Sequence, residues 1–145
     1  MPMQNVTIML LTPIRGPERI RRAEYRYIMN CAGATVEGKG TEKDTTGNRV
    51  ALIALIAALK RMKRPSLITV MTDSTYLIQS QGNLALWEQN GWVRTNGVPL
   101  RNADLWKELK GLQKDHAIRY RYENIDLYYE KRQKQTETGI FTDPY

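Results

Sequence analysis

Residues 50–73 read VALIALIAALKRMKRPSLITVMTD, and this stretch decides the fold class. Its first part, Val50 to Met62, is rich in leucine, isoleucine and alanine and has almost no polar face, which predicts a largely buried helix. Pro65 ends that helix, because proline cannot continue it. Leu67 to Thr72 is then an apolar, β-branched run that ends at Asp73, the pattern of a central strand covered on both faces. A buried helix followed by a buried strand predicts an α/β domain.

Further strands and helices are predicted on both sides of this stretch. Before it, apolar or alternating runs that end in turn residues predict three strands, the last two forming a hairpin. After it, the pattern predicts three helices, a strand and a short last helix. The predicted strands are Val6 to Leu11, a strand around Tyr25 to Met29, Ala34 to Glu42 and, late in the chain, Ala117 to Tyr122; the helices are Thr75 to Ser80, Leu84 to Gln89, Ala103 to Leu112 with Asn102 as N-cap, and Ile125 to Gln133.

Length and composition agree with a single folded domain. The 145 residues are 41% hydrophobic, enough for one core, so we expect one domain over residues 1–145 with a short tail from about residue 134. The formal net charge of +7 favours a polyanionic partner. One cysteine, Cys31, excludes an intramolecular disulfide, and one histidine, His116, leaves little material for zinc cages or Ser-His triads.

No segment of the sequence indicates a membrane protein. The residues before the first apolar run contain no basic cluster, and no run approaches the roughly 18 apolar residues of a membrane span. We therefore expect a soluble, cytoplasmic protein.

A carboxylate stands where the central strand ends. Asp73, in the sequence Thr72-Asp-Ser-Thr-Tyr76, comes directly after that strand and just before a helix. Ligands of open α/β sheets bind at the carboxyl ends of the strands, so Asp73 is a candidate site residue. Aspartate is also a favoured N-cap, so the alternative is that Asp73 only caps the following helix.

Three further motifs accompany Asp73. They are Thr45-Thr-Gly-Asn-Arg49 at the start of the buried helix, the pair Trp87 and Trp92 around Gly91, and Pro99-Leu-Arg-Asn-Ala-Asp-Leu-Trp106 at the start of a later helix. In their order and spacing these motifs resemble the type 1 ribonuclease H family. The resemblance covers roughly Val6 to Tyr122 and implies a ribonuclease H-like α/β fold, a five-stranded mixed sheet with its first three strands antiparallel and helices on both faces.

The resemblance also implies a catalytic mechanism, and here the chain departs from the family. The family cleaves the RNA strand of RNA/DNA hybrids with two divalent ions, usually Mg²⁺, held by carboxylates. The first carboxylate position falls on Leu11 or Thr12 and the second on Ala51, whereas Asp73 matches the third and Asp126 is the candidate for the fourth. We expect Asp73 and Asp126 to be remnants of a catalytic site, with Asp73 the remaining metal ligand. Mg²⁺ is the expected cofactor only if activity is retained.

Three residues match positions that contact nucleic acid in the family. Thr46 and Asn48 match residues that touch the minor groove of the hybrid, and Trp87 matches a tryptophan near the DNA strand. The alternative roles are helix capping for Thr46 and Asn48, and core packing for Trp87. The arginine-rich run Arg15 to Arg26 and the run Lys60 to Arg64 are the candidates for phosphate contacts.

The leading hypothesis is a degenerate ribonuclease H-like protein that binds RNA/DNA hybrid or duplex nucleic acid with impaired or no catalysis. The second is an active Mg²⁺-dependent hybrid endoribonuclease with a rearranged site. The third is a scaffold on the same fold that binds a protein partner through the aromatic C-terminal region, namely Tyr120, Tyr122, Tyr128 and Tyr129.

Overall fold

A computed structural model describes residues 3–12 and 19–124 of the protein. Asp126, Tyr128 and Tyr129, the predicted helix Ile125 to Gln133 and the predicted tail lie outside the described residues. No helix in the described ranges is long and apolar enough to cross a membrane.

Five strands form one mixed sheet in the order β3-β2-β1-β4-β5. β1 pairs antiparallel with β2, and β2 pairs antiparallel with β3, whereas β4 runs parallel to both β1 and β5. This arrangement confirms the predicted five-stranded mixed sheet with its first three strands antiparallel. The strands are β1 (Gln4–Leu11), β2 (Arg21–Cys31), β3 (Ala34–Thr45), β4 (Ser66–Thr72) and β5 (Ala117–Tyr122).

The helices follow the predicted order with small shifts at their ends. The first helix starts three residues earlier than predicted because Thr46 caps it, and it ends at Leu59 rather than Met62. A single 3₁₀ turn, Gln81–Asn83, separates the second and third helices. The helices are α1 (Gly47–Leu59), α2 (Thr75–Ser80), α3 (Leu84–Gln89) and α4 (Ala103–Gln113).

The core lies mainly between α1 and one face of the sheet. Side chains of β1 alternate, so Val6, Ile8 and Leu10 pack on the α1 side, whereas Met9 and Leu11 pack with Ile28 on the opposite face. This explains why the last four residues of β1 are all apolar, because a central strand is buried on both faces. On α1 the buried residues are Val50, Ala51, Leu52, Ala54, Leu55, Ile56, Ala58 and Leu59.

The edge strand β3 keeps its pairing at two glycines, although glycine inside a strand normally weakens it. Gly40 pairs with Tyr25 and Gly38 pairs with Tyr27. The tyrosine rings lie across the strand and occupy the space that a Cβ atom at either glycine would need. The rings therefore cover the glycine backbone, and β3 continues to Thr45 instead of ending at Glu42.

The hairpin between β2 and β3 has a two-residue loop. Cys31 pairs with Ala34, so Ala32 and Gly33 form the whole turn. Both have positive φ, 53° for Ala32 and 83° for Gly33. Two central residues with positive φ are the geometry of a type I′ turn, which prefers Asn-Gly because asparagine tolerates the left-handed region better than alanine.

We expect Ala32→Asn to stabilise the protein. The substitution places the favoured residue in a backbone conformation that strains alanine, so the free energy of unfolding should rise by about 0.5–1 kcal/mol. Denaturant unfolding of the variant and the wild type measures the difference. Ala34→Asn, one position beyond the turn on β3, is the matched control and should not be stabilised; equal stabilisation of both variants would contradict the role of the turn.

Candidate functional site

Asp73 lies at the carboxyl end of β4, as the sequence predicted. Ser74 rather than Asp73 is the N-cap of α2, because the Ser74 hydroxyl accepts a hydrogen bond from the Leu77 amide at 3.2 Å. The Thr72 hydroxyl in turn accepts a hydrogen bond from the Ser74 amide at 3.0 Å. The alternative interpretation of Asp73 as the helix cap is therefore wrong.

The two positions where the family resemblance expects carboxylates are buried and apolar. Leu11, the last residue of β1, is 1% exposed and packs with Met9 and Ile28. Ala51, in the second turn of α1, is also 1% exposed and belongs to the main core. Thr12, the other candidate for the first position, is buried as well.

The described residues do not fit a two-metal site. Mg²⁺ prefers several oxygen ligands in octahedral geometry, and two ions close together need anions to offset their repulsion. In residues 3–12 and 19–124 no group of three or more His, Cys, Asp or Glu side chains could hold a metal ion. Asp73 is the one predicted metal-site carboxylate in these ranges, since Asp126 lies outside them.

The amino end of α1 positions both predicted hybrid-contact residues. Thr46 is the N-cap, and its hydroxyl accepts a hydrogen bond from the Arg49 amide at 3.2 Å. The capping role weighed for Thr46 is thus confirmed. Asn48 lies in the first turn and is half-buried. An N-terminus of this kind favours an anion, because backbone N–H groups and the helix dipole point toward it.

A polar network joins this end of α1 to the start of α4. The Arg49 guanidinium donates two hydrogen bonds to the Asp104 carboxylate, at 3.0 and 2.6 Å, and a third to the Asn102 carboxamide at 3.3 Å. Asn102 donates to the Tyr76 hydroxyl at 3.2 Å, and the Trp106 indole donates to the same oxygen at 2.8 Å. Residues from α1, α2 and α4 therefore meet in one hydrogen-bonded cluster.

Sequence reasoning missed this network. Asn102 occupies the N-cap position of α4 as predicted, but its side chain makes no capping hydrogen bond and its φ is 62°. The predicted N-cap position is therefore confirmed, although the carboxamide of Asn102 bonds to Arg49 and Tyr76 and not to the backbone of α4. Arg49 is the sequence feature that could have predicted the network. It is a charged residue in an otherwise apolar helix, and such a residue needs a partner.

The network shifts two pKa values in opposite directions. The hydrogen bonds from Arg49 are the largest influence on Asp104 and lower the pKa of its carboxyl. The same hydrogen bonds raise the pKa of Arg49. At neutral pH both groups are therefore charged, and the pair ties α1 to the first turn of α4.

Trp87 packs against a core residue, as its alternative role of core packing predicts. Its ring meets the Trp106 ring edge-on at 5.2 Å between centroids, and Trp106 is fully buried. Trp87 itself is half-buried, so part of its ring still faces solvent. Trp92 is also half-buried and lies 6.0 Å from the Lys107 amine.

Internal contacts occupy much of the positive charge predicted to bind phosphate. In the first run, whose residues 15–18 are outside the described ranges, Arg22 pairs with Glu24 and Arg26 with Glu37. In the second run, the Lys60 amine lies 2.6 Å from the Glu108 carboxylate. In the same run, Arg61 donates to the Tyr27 hydroxyl and to the Glu37 carbonyl, and Arg64 donates to the Gln4 carboxamide.

The aromatic C-terminal region is divided between core and surface. Tyr120 packs against the main core, its hydroxyl is buried, and burial raises its pKa. Tyr122 is 58% exposed at the end of β5. Because Tyr120 belongs to the core, only Tyr122 remains as a described surface residue for the predicted protein-partner site.

The chain is similar in sequence to known ribonucleases H. Residues 18–123 match the family model described as RNase H. The Ribonuclease H of Thermoanaerobacter sp. (strain X514) is 39% identical over 90 residues, which are 61% of this chain and 58% of that protein. The chain thus matches less than two thirds of the length of this relative.

Solved structures share the fold at low sequence identity. LC9-RNase H1, described as a type 1 RNase H with the type 2 active-site motif, matches with a TM-score of 0.70 at 21% identity, covering 95% of this chain and 74% of that one. LC11-RNase H1 in complex with an RNA/DNA hybrid matches with a TM-score of 0.60 at 14% identity, covering 84% and 87% of the two chains.

We expect the Arg49–Asp104 pair to make stability depend on pH. Because the folded pKa of Asp104 is lowered, its contribution is present above the unfolded pKa of about 4 and is lost as pH falls through the folded value. The difference in free energy of unfolding between wild type and Asp104→Asn should be about 0.5–1 kcal/mol at pH 7 and shrink at low pH.

Denaturant unfolding of both proteins at several pH values between about 2 and 7 measures this difference. Asp115→Asn removes an exposed carboxylate that forms no ion pair within the described ranges, and it is the matched control. A difference for Asp104→Asn that stays constant with pH would show that the pair does not act through charge.

Proposed function

The chain belongs to the RNase H family, and we propose that it is a nucleic-acid-binding protein of that family whose hybrid cleavage is weak or absent. The observation that carries this proposal is the burial of Leu11 and Ala51 at the two positions where the family resemblance expects carboxylates. Apolar side chains in these places help to build the core and offer no oxygen to a metal ion.

The size of the expected loss follows from the role of metal ions. A metal-assisted site stabilises transition-state charge by several kcal/mol, and about 1.4 kcal/mol is a factor of ten in rate. Loss of both ions should therefore slow cleavage by on the order of a thousandfold or more. Asp73 alone supplies too few ligands to hold the pair.

The nucleic-acid partner is supported by the family, the charge and the geometry of α1. LC11-RNase H1, which shares the fold, is described in complex with an RNA/DNA hybrid. The net charge of +7 favours a polyanion. Thr46 and Asn48 at the amino end of α1, with Trp87 on α3, are the proposed contacts for a hybrid or a related duplex.

An active hybrid endoribonuclease is the second candidate. The placement of Asp73 at the carboxyl end of β4 favours it, because that is where the resemblance puts a metal ligand. It would require Mg²⁺ and ligands supplied by a rearranged site. Cleavage activity separates this candidate from the first.

We expect purified wild-type protein to show no robust Mg²⁺-dependent cleavage of an RNA/DNA hybrid. The double substitution Leu11→Asp, Ala51→Glu should increase cleavage, since it returns carboxylates to both positions. Gel analysis of a labelled hybrid in Mg²⁺ and in Mn²⁺ measures the rates, and circular dichroism checks that the variant folds. The corresponding neutral variant, Leu11→Asn with Ala51→Gln, is the matched control and should remain inactive.

One outcome of the same assay would overturn the proposal. If the wild type cleaves the hybrid well and Asp73→Asn abolishes the cleavage, the second candidate is correct.

We expect hybrid binding in the absence of divalent metal to weaken steeply with salt. Each phosphate neutralised by Lys or Arg makes the slope of log K against log salt concentration more negative by about 0.9. Fluorescence anisotropy of a labelled hybrid over about 50–200 mM salt measures the slope. Undetectable binding, or binding that does not change with salt, would contradict a phosphate-dominated interface.

A further inference from the structure

A groove of about 690 Å³ lies between α3 and α4, away from the Asp73 site. Three lysines line it: Lys107 and Lys110 of α4, and Lys114, which directly follows the helix. Their spacing of three and four residues places them on one face of the helix, over about 10 Å of its length. Glu88 of α3 is the one acidic residue among the lining side chains.

The charge of two of these lysines is available to a partner. Lys110 and Lys114 take part in no ion pair within residues 3–12 and 19–124. Lys107 lies near the Trp92 ring, a contact that leaves its charge in place. Lys60 and Arg26, which belong to the basic runs predicted from the sequence, differ because each pairs with a carboxylate of the protein, Glu108 and Glu37 respectively.

Two glycines border open space in the groove. Gly82 and Gly111 line it, and a Cβ atom at either position would meet nothing within 4 Å. Gly111 lies inside α4, where glycine destabilises a helix by about 1 kcal/mol relative to alanine. Packing therefore does not require this glycine, and the space beside it is open to a ligand.

Charge and position together favour a nucleic-acid backbone as the occupant. Lysine acts as a point charge for phosphate, and a row of lysines suits a linear polyanion. Glu88, which lines the groove, and Trp87, which is proposed to contact the DNA strand, are both carried by the short helix α3.

We infer that this lysine groove binds the phosphate backbone of the duplex that the protein holds, and so extends the binding surface beyond Trp87. The inference rests on the proposed nucleic-acid-binding function. The sequence analysis predicted phosphate contacts in the runs Arg15 to Arg26 and Lys60 to Arg64, whereas this inference places them along α4.

The test compares two double variants of the full chain that remove the same charge. Lys110→Gln with Lys114→Gln neutralises the groove, and Lys39→Gln with Lys43→Gln neutralises two exposed lysines of β3, at the far edge of the sheet. Anisotropy of a short labelled RNA/DNA hybrid, recorded in EDTA over about 50–200 mM salt, gives Kd and the salt slope for each protein.

We expect the groove variant to raise Kd about tenfold near 0.1 M salt and to lower the slope by nearly two, about 0.9 for each lysine. The β3 variant should change both quantities much less. Gly111→Glu should weaken binding as well, because it places a carboxylate among the lysines, whereas Gly111→Gln should weaken it less.

Other outcomes separate failure of this inference from failure of the proposed function. Equal effects of the two double variants, or wild-type binding by the groove variant, would overturn the lysine groove and leave nucleic-acid binding intact. If polyglutamate displaces the hybrid as well as unlabelled hybrid does, the groove suits an acidic protein and the inference is wrong. Absence of any hybrid binding by the wild type would overturn both.

Discussion

Burial of α1 is the constraint on which the rest of the structure depends. Eight of its thirteen residues are buried, so the helix cannot face solvent along any broad stripe. The sheet covers one side, through Val6, Ile8 and Leu10 of β1, and α4 packs on another side through Trp106 and Leu109. Apolar area removed from water contributes roughly 25 cal/mol per Å², which makes this packing the main source of stability.

The same constraint places the functional elements. α1 begins where β3 ends, so its amino end with Thr46 lies at the margin of the sheet. Arg49 reaches from that end to Asp104 and Asn102 and orients the start of α4. The position of α4 then sets where Trp87 rests on Trp106 and where the lysine groove opens beside α3. One buried helix thus relates Thr46 at its amino end to Trp87 and the lysine groove.

The proposed loss of catalysis has a physical counterpart in this core. A carboxylate at Leu11 or Ala51 would have to be hydrated, paired or bound to metal, since an isolated buried charge is costly. Leu11 and Ala51 avoid that requirement and add apolar contacts to the two faces of the sheet. The fold is therefore compatible with apolar residues at both positions.

Much of the fold could be predicted from local patterns. The continuous apolar runs of α1 and β4 determine a buried helix and a buried strand, and the alternation around Tyr25 and Tyr27 determines an amphipathic strand, because periodicity reports which faces are covered. Composition determined the net charge of +7, which favours a polyanionic partner. The position of Asp73 at the end of β4 followed from the same strand boundary.

Only the tertiary structure decided which polar groups meet. Arg49 and Asp104 are 55 residues apart, and no local pattern reports a contact over that separation. Ser74 rather than Asp73 caps α2 because the geometry at the end of β4 brings its hydroxyl to the Leu77 amide. Composition does not distinguish one lysine or arginine from another. In the folded protein Lys60 and Arg26 each pair with a glutamate, whereas Lys110 and Lys114 line an open groove. Net charge is a property of composition. Whether a given charged side chain can contact a partner depends on which side chains the fold brings together.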